Sequence, residues 1–162
     1  IISGSNAELN SIFSTGPITG SAFTGSFVGD GVALTNISGS SLVANVRTVA
    51  FELGVSSTEA ITTGAKGRKT VPYLGTIIGY KVVSDLSTST VLDIWKTNAA
   101  IPTNSNSIVA SAKPTLSSAE YVSSGTLTGW TTAVAPGDIF ILEVESNNNA
   151  KYIALELDIL LT

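Results

Sequence analysis

Between Ile12 and Leu42 glycine recurs at short, nearly regular steps, at Gly16, Gly20, Gly25, Gly29, Gly31 and Gly39, with Ile18, Phe23, Phe27, Leu34 and Ile37 set between them. Segments this short cannot build a sheet with a core of its own, because an isolated hairpin is marginal in water. A solvated Gly/Ser linker would account for the glycines. It has no use for Phe13, Ile18, Phe23, Phe27, Val28, Leu34 and Ile37, whose exposure would invite aggregation. Repeated units that cannot bury an apolar face alone are completed by stacking, and in so short a stretch the copies can come from identical subunits about one axis. Residues 1–45 are therefore expected to form an oligomeric stalk.

From Val46 onward the pattern becomes that of strands. Val49, Phe51 and Leu53 alternate with Ala50 and Glu52; Val71 and Tyr73, Thr76 to Val83, Val91 to Lys96, Ile139 to Glu145 and Tyr152 to Leu161 follow. In the last run Ile153, Leu155, Leu157, Ile159 and Leu161 form one face, and Tyr152, Ala154, Glu156 and Asp158 the other. Turn residues sit at Ser56-Ser57, Gly64 to Gly67, Gly75, Ser87 to Ser89, Pro136 to Asp138 and Asn147 to Asn149. Thr97 to Lys113 carries Pro102, Asn104 and Asn106 and is expected to be a long loop, with one helical turn near Ser107 to Ala112. The expected fold is all-β: a shaft over 1–45 and an antiparallel, jelly-roll-like β-sandwich knob over 46–162.

Charged residues make up only 12% of the chain and the net charge is -4, so ionisable groups are too sparse to cover a row of phosphates or an anionic membrane. Neither nucleic acid nor membrane insertion is expected, since no run approaches the roughly 20 apolar residues a bilayer needs. The chain has no Cys and no His, which removes disulfides, thiolate metal sites and the usual Ser or Cys triads. It opens on Ile1, contains no Met, and is expected to be part of a longer polypeptide.

The run Phe23 to Ile37 (FTGSFVGDGVALTNI) resembles the F-x-G-x-F-x-G-D-G-x-x-L-x-x-I repeat of phage tail fibres and related adhesins. In that family the repeat lies in elongated, intertwined trimeric shafts. The blocks Ile61 to Gly67, Val91 to Lys96, Ala110 to Leu116 and Leu127 to Thr132 also resemble, in that order, a C-terminal module of phage tail and minor structural proteins. Together the likeness runs over about residues 18–162 and leaves Ile1 to Phe13 unmatched. It implies a homotrimeric, extracellular virion component attached to other tail proteins upstream, with a host polysaccharide or outer-membrane component as partner. A purely structural virion or baseplate joint is the alternative.

No catalytic residue, cofactor or metal is expected. Asp93, Glu143, Glu145, Glu156 and Asp158 are the carboxylates that glycoside hydrolysis could draw on. Glu143 with Glu145, and Glu156 with Asp158, fall at i and i+2, the ordinary place for solubilising charge on an exposed strand face. Gly29-Asp30-Gly31 reads as a tight turn and not a Ca²⁺ loop, having no second acid near it. Gly64 to Lys69 reads as an exposed basic hairpin, without the spacing of a phosphate-binding loop. Asn36-Ile37-Ser38 fits a glycosylation sequon. Trp95 is expected in the core. Trp130 is placed in core or turn, or as a platform for a sugar ring, and Tyr121, Asn104, Asn106, Asn147, Asn148 and Asn149 as hydroxyl and amide groups suited to neutral glycans.

Overall fold

A computed structural model describes residues 45–55 and 58–162 of the chain. The stalk residues Ile18, Phe23, Phe27, Leu34 and Ile37 lie outside the described residues, as do the Gly29 to Gly31 turn and the sequon. What is described is all-β. The strands are β1 (Val46–Leu53), β2 (Gly64–Thr70), β3 (Gly75–Thr97), β4 (Thr115–Ser124), β5 (Ala133–Val134), β6 (Ile139–Asn147) and β7 (Ile153–Leu161). Among the described residues the only helical element is a 3₁₀ turn at Asn104–Asn106.

All pairing is antiparallel, in one sheet of order β1-β7-β3-β6-β2 with β4 and β5 also on β3. The 23-residue β3 organises it. Its first half pairs with β7 (Gly75↔Leu161 to Ser84↔Ile153) and its second with β6 (Thr90↔Asn147 to Thr97↔Ile139). On the outer side β1 continues the ladder on β7 and β2 continues it on β6. The sheet thus has two halves, and it curls so that both face one core. Phe51 of β1 lies against Gly67 of β2, where an added Cβ would stand 2.7 Å from the ring. That approach is why a glycine occupies this strand position. Ile153, Leu155, Leu157 and Ile159 from one half join Leu92, Ile94, Phe140 and Leu142 from the other in a single buried cluster, the expected inward face of the last strand among them.

The helical turn expected near Ser107 to Ala112 falls at Asn104–Asn106, Val71 and Tyr73 lie between strands β2 and β3, and further stretches also differ from expectation. Ser87 to Ser89 does not break the chain; β3 runs through it. Thr88 Oγ1 donates to Asn148 O (2.6 Å) and Thr90 Oγ1 to Asn147 Oδ1 (2.9 Å), so the hydroxyls serve the neighbouring turn while both residues stay buried. Asp85 Oδ1 accepts the backbone N–H groups of Lys151 and Tyr152, at 3.0 and 3.1 Å, and ties the irregular part of β3 to the β6–β7 turn. Gly64 to Lys69 forms not a hairpin but β2, with Lys66 as the extra residue of a bulge between Ala65 and Gly67. The Thr115 to Ser124 run, too polar to signal a strand, is β4; of its residues only Leu116 is buried.

Candidate functional site

On the outer face of the second half, the β3–β6 register sets Asp93 directly opposite Glu143. Glu145 projects from the same face two residues further along β6. Asp93 interrupts an otherwise apolar run and is only 4% exposed. A carboxylate so placed must be paired, and the loop between β3 and β4 supplies the partners. Ser107 Oγ donates to Asp93 Oδ1 (2.6 Å), the Ile94 N–H donates to the same oxygen (2.7 Å), and Lys113 Nζ stands 3.1 Å from Oδ2. Lys113 also donates to both carboxylate oxygens of Glu145, at 2.9 and 3.0 Å. These bonds clip the loop to the sheet and leave a depression of about 390 Å³ lined by Asp93, Asn104, Ser107, Ala110, Lys113, Glu143 and Glu145.

The electrostatics follow from this geometry. The hydrogen bond to Glu145 holds the Lys113 ammonium above its ordinary range, with burial opposing and Asp93 adding to the rise. Burial pushes the Glu143 carboxyl up, and the charges of Asp93 and Glu145 push it further against the pull of Lys113. The depression therefore offers acceptors on its carboxylates and on the Ser107 hydroxyl oxygen, whose proton is spent on Asp93, and donors on Lys113 and Asn104, which suits a ligand rich in hydroxyl groups. No aromatic side chain is among its described lining residues.

No protein-family model matches this chain, and no curated protein matches it. A role must be argued from the residues themselves. Among the described residues, no group of three or more His, Cys, Asp or Glu side chains is placed to hold a metal ion. No helix among them is long and apolar enough to cross a membrane.

The residues singled out as glycan contacts do not converge. Asn104 lines the depression, and Asn106 beside it accepts the Thr103 N–H (3.0 Å) in the cap of the 3₁₀ turn. Trp130 is buried, stacked on Tyr80 with ring centroids 5.4 Å apart, and its indole N–H donates to Ala112 O (2.9 Å). Tyr121 is 56% exposed, on β4 opposite Val83 and thus on the other half of the sheet. Asn147 is a clamp: its Nδ2 donates to Ile61 O and Ala150 O, both at 2.9 Å, and its Oδ1 accepts from Thr90 Oγ1 (2.9 Å) and the Ala150 N–H (3.3 Å). Asn148 and Asn149 are exposed in the turn that follows, Asn149 in the left-handed region at φ 68°.

Ser107 and Lys113 escaped the sequence reading. The signal that could have found them was Asp93 itself, since a charge inside a buried strand calls for a donor from a neighbouring loop.

Proposed function

We propose that this chain is the distal part of a homotrimeric phage tail fibre that attaches the virion to a host-surface glycan or outer-membrane component. In this reading residues 1–45 wind with two sister copies into a shaft joined to other tail proteins, and residues 46–162 form a jelly-roll-like sandwich knob. The observation that carries it is the FTGSFVGDGVALTNI repeat, whose apolar residues have too little chain around them to be sheltered by one copy. The clipped polar depression around Asp93 and Lys113 supports attachment, because its donors and acceptors are held in place before a ligand arrives. Three copies of a weak site on one axis would supply avidity.

A second reading, a virion or baseplate joint without a receptor, is favoured by the internal duties of Asn147 and Trp130. Light scattering of the full chain and a glycan array together decide. A trimer that binds glycans, and loses them on Lys113→Ala, fits the first reading. An intact trimer with a blank array fits the second, and a concentration-independent monomer defeats both.

A further inference from the structure

The chain holds eight basic residues. Lys81, Lys96 and Lys113 are in ion pairs with carboxylates, Arg47 stands beside Tyr73, and Lys151 is in the β6–β7 turn. The other three, Lys66, Arg68 and Lys69, sit together on β2, are exposed, and take no part in the ion pairs that hold Lys81, Lys96 and Lys113. Lys66 Nζ donates to Thr62 Oγ1 (2.7 Å), which orients the ammonium without neutralising it. Among the described residues β2 is the last strand of the sheet path, with no strand hydrogen-bonded to its outer edge. Alternation and the bulge turn Arg68, opposite Ile141, and Lys69, opposite Phe140, to the two sides of the strand.

Beside them, between β1 and β2, runs a groove of about 550 Å³ lined by Ala50, Glu52, Val55, Gly67, Arg68 and Lys69, with the buried Phe51 beneath it. That volume lies within the range of small-ligand sites, about 300–1,000 Å³. The acid lining it, Glu52, interacts with the Tyr152 hydroxyl. Glu143, on β6 opposite Ala65, makes no ion pair with any of the three. In a chain of net charge -4, three neighbouring cations on β2 against one lining carboxylate leave a local positive excess that attracts anions.

We propose that the β1–β2 groove, with Lys66, Arg68 and Lys69, binds the carboxylate or phosphate groups of an acidic surface polysaccharide. The inference rests on the attachment reading and names the chemical class it takes. A lone lysine would suffice merely to keep one sheet edge off another; here Arg68 and Lys69 line a groove and Lys66 stands next to them on the same strand.

The test measures retention of the full chain on polygalacturonate, poly(glycerol phosphate), neutral dextran and duplex DNA, with wild type and the Lys66→Ser/Arg68→Ser/Lys69→Ser variant. Binding to one or both acidic polysaccharides is expected, falling about tenfold or more in the triple variant and again as salt rises from about 0.05 to about 0.5 M. The polymer preferred distinguishes carboxylate from phosphate. Lys151→Ser should change nothing and Arg68→Lys little, and the salt titration of wild type judges the proposal even if the triple variant misfolds. Equal binding by the triple variant, or salt-insensitive binding by wild type, overturns it. Retention on dextran alone, or on no polysaccharide, overturns the anion site and leaves attachment to be decided by the glycan array; preference for DNA replaces the ligand class.

Discussion

Replacing Asn147 by Ala removes four hydrogen bonds at once, because both ends of its amide are used: two donated to Ile61 O and Ala150 O, two accepted from Thr90 Oγ1 and the Ala150 N–H. At a net contribution of about 0.5–1.5 kcal/mol each, the sum is about 2–6 kcal/mol. Asn147 is only half-buried, so water can reach part of the vacated space, and the lower end, about 2 kcal/mol, is expected. Urea unfolding followed by far-UV circular dichroism, at one fixed protein concentration, should show the midpoint fall with the slope unchanged. For a body of this size the melting temperature should drop by about 8 °C. Asn147→Asp keeps the acceptor but points a carboxylate at two carbonyl oxygens, and should be worse at neutral pH than in acid. Asn148→Ala, which touches only an exposed side chain, should stay within about 0.5 kcal/mol of wild type. If Asn147→Ala and Asn148→Ala behave alike, the clamp does not exist as described.

Glu143→Gln should stabilise the protein by about 0.5 kcal/mol at neutral pH. Burial raises this carboxyl in the folded state, so the favourable contribution of its protonated form is complete below the ordinary carboxylate range and lost as pH rises through the folded value; thermal melts of wild type and variant should converge toward pH 3. Asp138→Asn should cost about 3 kcal/mol in urea unfolding, since it strands the Lys96 ammonium held 2.8 Å away in a mostly buried pair. The Lys96→Met/Asp138→Asn double variant should recover part of that loss, and strict additivity would count against coupling between the two.

The strands with apolar alternation were legible from sequence: Val49, Phe51 and Leu53 do face inward, and so do Ile153, Leu155, Leu157 and Ile159. What was illegible depended on partners far along the chain. β4 is polar because it lies at a sheet margin, where only Leu116 is fully buried while Ala119 and Val122 pack part-buried against the core, and its pairing comes from β3. Gly64 to Lys69 carries turn-like residues, and the long ladder on β6 overrides their local preference. Among the candidate contacts, the Asn side chains looked equivalent in sequence. Only the fold separates Asn147, spent on backbone groups, from Asn104, which lines a depression.

Among the described strands the first closes against the last, from Val46↔Leu160 to Leu53↔Ile153. On the ribosome this means that the leading strand must wait, unpaired and with Phe51 uncovered, until the closing residues have cleared the exit tunnel. The interval in which nascent chains can associate wrongly therefore lasts for nearly the whole synthesis of this body.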